Sequence, residues 1–246
     1  MIGGLLPRNT MHRFFVSPAD IDDTIALTGE NARHFAVLRI RAGEEIIICN
    51  GAGLDYFCHA IEIGRDKVIA RVLRVCENTA ELPIAITLFQ GLPKADKLEI
   101  VIQKAIELGV HKIAPIFCQN SIPKISNAAN KIQRLQKIAE SAAKQSGRGI
   151  IPMVEDCISF DKGLEMAKNL DLSYICHPAK NAIFHGAFLR GKLGNISSLG
   201  IFIGPEGGFC ESEAAALPNI SLGRGILRTE TAAIAAIANI VYELEV

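Results

Sequence analysis

Up to about residue 75 the chain alternates between short apolar runs and polar turns. The runs are HRFFV from His12, HFAVLRI from His34, EEIIICN from Glu44, YFCHAIEIG from Tyr56 and KVIARVL from Lys67, separated by SPADIDD, RAGE, NGAG and GRD. Such spacing predicts strands of a small β-barrel or compact sheet. The stretch GENARHFAVLRI from Gly29 is the exception: it opens like a helix, and Gly43 then resets the chain. Beyond Val75 the period changes. CENTAELP reads as a linker and IAITLFQGL as a buried strand. KADKLEIVIQKAIELGV places Leu98, Val101, Ile102, Ala105, Ile106 and Leu108 at helical spacing, with Gly109 as the stop. KIAPIFC, KIQRLQKIAESAAKQSG, IPMVEDC, DKGLEMAKNL and LSYICHP continue the alternation of strand and helix, followed by a polar loop, GIFIGPEGGF and an alanine-rich helix that looks fully buried. The pattern predicts an α/β domain with a mainly parallel sheet over residues 76–246, behind a β-domain over 1–75.

Composition narrows the classes. The 246 residues are 49% hydrophobic and 21% charged, with a formal net charge of +0. A protein living on non-specific nucleic-acid affinity is usually basic, so any basic surface here has to be local. Seven cysteines stand singly, with no CxxC pair. They speak against a disulfide framework or a structural zinc site and for a reducing, cytoplasmic compartment. The start lacks a secretory pattern and the apolar tail is interrupted by Asn239, so neither export nor membrane insertion is expected. Met11 is an alternative start, which would make residues 1–10 an extension.

Two glycine-rich segments carry the chemistry. In GIFIGPEGGF an apolar strand runs straight into Gly204, Pro205, Glu206, Gly207 and Gly208. A turn of this kind at the carboxyl end of a parallel strand suits a ligand, although a tight structural turn explains it too. Neither GxGxxG nor GK[ST] is present. In SLGRGILRTETA two glycines flank Arg224, and Arg228, Thr229, Glu230 and Thr231 precede the alanine-rich helix. Thr229 or Thr231 could cap that helix. Charges at a buried helix entrance need a partner, either each other or a ligand. HExxH and clustered acids are absent from the sequence, and no metal is expected. Arg8, His12 and Arg13, and then Arg33, His34, Arg39 and Arg41, form two basic groups, either solvated surface or a polyanion patch.

These motifs together resemble a known family. MHRFFV, HFAVLRIRAGE, KADKLEIVIQKAIELGV, AAKQSGR, IFIGPEGGF and LGRGILRTETA match, in order, the bacterial enzymes that methylate N3 of uridine 1498 in small-subunit (16S) ribosomal RNA, members of the knotted SPOUT methyltransferases. The resemblance implies an N-terminal PUA-like β-barrel domain, a C-terminal SPOUT domain with a trefoil knot, a homodimer, and S-adenosylmethionine (AdoMet) bound in the knot. It places the cofactor against Ile203, Gly204, Pro205, Glu206, Gly207, Gly208, Leu222, Gly223, Ile226, Leu227, Thr231 and Ala232. Arg228 and Glu230 would border the methyl group and target base as catalytic residues. Arg13, Arg33 and Arg39, with Lys144 and Arg148, would face the RNA or the small ribosomal subunit. Two departures stand out. Arg224 and Gly225 replace the family's usual Pro-Arg, and Gln119, Asn120 and Ser121 replace its Glu-Arg-Ser, leaving Lys124 or Arg148 as substitutes for that arginine. A related knotted methyltransferase acting on another RNA, or a non-catalytic RNA-binding protein of the same fold, are the alternatives.

Overall fold

The computed structural model describes residues 11–17, 20–94, 96–121, 128–179 and 182–245. Arg8, the extension over residues 1–10 and Lys124 lie outside the described residues. The chain divides into two units, one holding residues up to 81 together with 147–151, the other holding 82–146 and 152–246.

In the first unit, β1 (Arg13–Phe15), β2 (Thr24–Thr28), β3 (Glu45–Cys49), β4 (Leu54–Ile63) and β5 (Lys67–Glu77) form a sheet in the order β1-β3-β4-β5-β2. The β1–β3 pair is parallel and the others are antiparallel. Alternating side chains explain the core: Ile25 and Leu27, Ile46 and Ile48, Cys58 and Ala60, Val68 and Ala70 all turn to one face. Helix α1 (Gly29–Val37) covers them with Phe35. Two details differ from the apolar-run pattern. HFAVLRI supplies the end of α1 instead of a strand, and TIALT, directly behind the DIDD turn, supplies β2.

The basic face expected from Arg13, Arg33, Arg39, Lys144 and Arg148 does not form as a set of free cations. The Arg13 side chain is only 8% exposed and donates to both Asp55 carboxylate oxygens, at 2.6 and 2.9 Å, and to Cys49 Sγ at 2.6 Å. Arg148 is 2% exposed, and its guanidinium donates to the Glu81 carboxylate at 2.5–2.9 Å. The backbone N–H groups of Gly149 and Ile150 donate to the same carboxylate. A buried guanidinium is tolerable only with such partners, and they neutralise it. Arg33 and Arg39 are exposed, and Lys144 pairs with Glu140 one turn back on its helix.

The second unit is built on β6 (Ala85–Gly91), α2 (Lys97–Glu107), β7 (Lys112–Phe117), α3 (Ala128–Ser146), β8 (Met153–Val154), β9 (Ile158–Ser159), α4 (Phe160–Ala167) and β10 (Leu172–Cys176). It continues with β11 (Ile183–Phe184), α5 (His185–Leu189), β12 (Ser198–Ile203), α6 (Glu211–Ala214), β13 (Asn219–Ser221) and α7 (Thr229–Glu245). The sheet order is β11-β13-β10-β12-β6-β7-β8, with β9 beside β7, and every pairing is parallel. The apolar runs of β6 and β12 are continuous because both faces are covered. Phe89 and Phe202 from these two strands stack at 4.3 Å. The α2 stripe of Leu98, Val101, Ile102, Ala105 and Ile106 is buried, and Gly109 ends the helix at φ +95°.

Helix α7 is one-sided instead of fully buried. Ala233, Ala236, Ile237 and Ile240 face the core, while Tyr242 is exposed. Beneath it, buried His185 contacts Tyr174 Oη through Nε2 at 2.5 Å and Asn239 Nδ2 through Nδ1 at 3.3 Å. Among the described residues no helix is long and apolar enough to cross a membrane, and no group of three or more His, Cys, Asp or Glu is placed to hold a metal ion.

Candidate functional site

Strand β6 has β7 on one side and β12 on the other, so the direction of winding reverses there. In open parallel sheets the crevice beyond the carboxyl ends of such strands is where ligands bind. Register brings Gln90, Ile203 and Cys176 side by side at that edge, on β6, β12 and β10. The loops that follow these strands, and the loop after β13, therefore gather at one place.

A cleft of about 570 Å³ lies there, a size typical of small-molecule sites. Ile203, the whole turn from Gly204 to Gly208, and Phe209 line it, with Ile226, Leu227, Arg228 and Ala232 opposite. A smaller recess of about 80 Å³ adjoins it, lined in part by Leu222, Gly223 and Gly225. Thus the two glycine segments do meet. Thr231 is exposed on the first turn of α7, outside both clefts. Ile226 is 89% exposed and Leu227 37% exposed. Adjacent apolar side chains left open at a cleft rim suit an apolar or aromatic ligand surface.

Hydrogen bonds fix the turn from behind. Thr229 Oγ1 donates to the Gly204 carbonyl at 2.6 Å and accepts from buried Gln90 Nε2 at 2.9 Å. That hydroxyl therefore ties α7 to the turn instead of capping the helix. Asn120 Nδ2 donates to the Gly207 carbonyl at 3.1 Å. Glu213 accepts from the N–H groups of Gln119 and Cys210. The segment Gln119–Ser121, where the chain departs from its resemblance, is thus a brace for the glycine turn. Gly91 has to be glycine for the same reason: a Cβ there would sit 2.5 Å from Pro205 Cδ and 2.6 Å from Pro205 N.

The sequence left open whether Arg228 and Glu230 pair with each other or with a ligand, and in the structure they form no ion pair with each other. Arg228 is exposed, and Glu230 instead lies 3.3 Å from Lys97 Nζ. Lys97 also donates to Glu206 at 3.1 Å, and the backbone N–H of Lys94 donates to that carboxylate too. The hydrogen bond to Glu206 is the main reason the Lys97 ammonium is held above its ordinary pKa. Burial pulls Glu206 upward, but hydrogen bonds from its own backbone, Lys97 and Lys94 outweigh it and leave the carboxylate below its usual range. Both groups are therefore charged at neutral pH. Cys176 also lines the cleft, and burial raises its thiol well above the usual value. It remains a neutral thiol and not a nucleophile.

Sequence reasoning missed Lys97, His177 and Pro178, all of which line the larger cleft. Lys97 is the first residue of α2, just beyond the carboxyl end of β6. His177 and Pro178 directly follow β10. Position after a parallel strand was the available signal, but it becomes informative only once the strand order is known.

Comparison with known proteins agrees with this architecture. The family model described as an RNA methyltransferase domain matches residues 80–241, and that of an RNA methyltransferase PUA domain matches residues 27–73. The chain is 35% identical to ribosomal RNA small subunit methyltransferase E of Bacillus subtilis, over 96% of this chain and 98% of that protein. Identity to the Buchnera aphidicola protein of the same name is 33%, over 89% and 87%. A crystal structure of a ribosomal RNA small subunit methyltransferase E from Neisseria gonorrhoeae bound to S-adenosyl methionine superposes with a TM-score of 0.81 at 30% identity, covering 94% of this chain and 96% of that one. With its α/β methyltransferase domain and N-terminal PUA domain, the chain belongs to the RNA methyltransferases, in the family of ribosomal RNA small subunit methyltransferase E.

Proposed function

We propose that the protein transfers a methyl group from AdoMet to N3 of a uridine in 16S ribosomal RNA, the position numbered 1498. The observation that carries this reading is the meeting of two glycine segments at the carboxyl edge of the parallel sheet, in a chain of this family. The residues present fit the cofactor. Open Ile226 and Leu227 suit the adenine, and the backbone of Gly204–Gly208 can approach the ligand closely. AdoMet when bound supplies an already activated methyl group. The protein then has to orient the base, exclude water and stabilise the charge that develops as N3 loses its proton. Exposed Arg228, at the cleft rim, is placed to offer its guanidinium to that negative charge. Glu230, held near Lys97, can orient the guanidinium or accept the N3 proton through water. The target uridine leaves its stack to enter the cleft. Arg33 and Arg39 are available for phosphate contacts, which position RNA without reading its sequence. Two copies assemble, as the resemblance implies, and light scattering measures this directly.

Incubation with labelled AdoMet and small subunits lacking the modification, followed by nucleoside analysis, tests the reading. Labelled 3-methyluridine is expected. Label in another nucleoside, or only in transfer RNA, assigns the enzyme to another substrate, and no label with intact AdoMet binding favours a non-catalytic RNA-binding role. Arg228→Ala is expected to lower kcat about 100-fold, as loss of one charge-stabilising donor does, with AdoMet affinity nearly unchanged. A folded variant turning over at the wild-type rate removes Arg228 from the mechanism.

A further inference from the structure

Three segments far apart in sequence each bring one charge to the same point at the cleft. Lys97 opens α2, Glu206 sits in the glycine turn after β12, and Glu230 lies in the first turn of α7. One ammonium, with Nζ 3.1 Å from Glu206 Oε1 and 3.3 Å from Glu230 Oε2, serves both carboxylates. The three side chains are only 19–27% exposed, so water screens them incompletely. An ammonium has three N–H donors and no acceptor. It donates to Glu206 Oε1 and stands at ion-pair distance from Glu230 Oε2, a buried oxygen with no hydrogen-bond partner, at the wall of the cleft that Lys97 lines. Without the ammonium, two like charges would face each other, one on the glycine turn and one on α7, and would push the cleft walls apart.

We propose that Lys97 is a positioning residue: it holds the glycine turn and the entrance of α7 together by balancing Glu206 and Glu230, and so sets the width of the cofactor cleft. This rests on the reading of the cleft as the AdoMet site. It also explains why a lysine stands at the first position of α2, where the helix dipole by itself favours an acid.

Calorimetric titration with AdoMet tests the role in the full-length protein, using Lys97→Met, Lys97→Arg and the double variant Lys97→Met/Glu230→Gln, with thermal melts of each. Lys97→Met is expected to weaken AdoMet about tenfold, the equivalent of one pKa unit of lost charge pairing. Lys97→Arg keeps the charge and should stay within about threefold of wild type. The double variant restores the net charge of the cluster and should regain most of the affinity. A merely structural loss of packing would not be repaired by removing a second charge. Should Lys97→Met fail to fold, the arginine and double variants decide the matter. Wild-type affinity in Lys97→Met, or a double variant as weak as the single one, overturns the proposal. Absence of AdoMet binding by the wild type overturns the cofactor reading and this proposal with it, whereas normal wild-type binding with an indifferent Lys97→Met removes only Lys97.

Discussion

Single side chains decide how tightly the glycine turn is held. Gly91→Ala puts a methyl group into the Pro205 ring and backbone. Overpacking of that kind costs about 1–3 kcal/mol, and here it also moves a cleft wall. Chemical denaturation should show the loss of stability, and calorimetry should show weaker AdoMet binding; a variant unchanged in both would mean the turn adapts freely. At Gly207 an added Cβ would meet Asn120 Cβ at 3.0 Å, so Gly207→Val strains the turn against its own brace. The glycines were legible in the sequence because a turn rich in glycine at a strand end is a local signal. Lys97 and Asn120 were not, because their partners Glu206 and Gly207 lie 109 and 87 positions away, and His177 was not, because it borders the cleft only once β10, β12 and β13 stand in register.

Between elements, the contact of α7 with the β12 turn runs through one hydroxyl. Thr229→Val keeps the shape but leaves the Gly204 carbonyl and the Gln90 amide without that partner. Such a loss costs about 1–3 kcal/mol, measurable as a lower denaturation midpoint with unchanged slope. A second polar contact under α7 makes stability depend on pH. Burial lowers the His185 imidazole from 6.5 to about 4. The unfolded chain therefore takes up this proton first, so the contribution of His185 is complete above 6.5 and is lost as pH falls toward about 4. Between about pH 7 and about pH 5 the wild type should lose about 2 kcal/mol more than a His185→Gln variant, read from urea unfolding at each pH. Equal pH dependence in both would mean His185 is already charged in the fold. Strand and helix alternation over residues 84–176 was legible from period alone, because buried parallel strands and amphipathic helices differ in spacing. The elements α5 and β11 were not, since two strand residues and five helical ones give no period to detect.

At the scale of the whole molecule, the first unit is not one continuous stretch of chain. Residues 147–151 belong to it, and Arg148 is its most deeply buried cation among the described residues. The sequence offered no hint of this, since a cation after a helix is ordinary and its carboxylate partner Glu81 lies in what reads as a linker. A fragment ending at residue 81 leaves Glu81 and Asn78 without the groups that Arg148 and Gly147 supply. Without these ties the fragment should melt below the same unit within the full chain, as dichroism would register. For heredity the consequence is that a single recombination breakpoint between residues 81 and 147 cannot carry this unit intact from one lineage to another. A chimera joined near residue 81 inherits its carboxylate from one parent and its guanidinium from the other, and only lineages agreeing at both positions can trade the front of the gene.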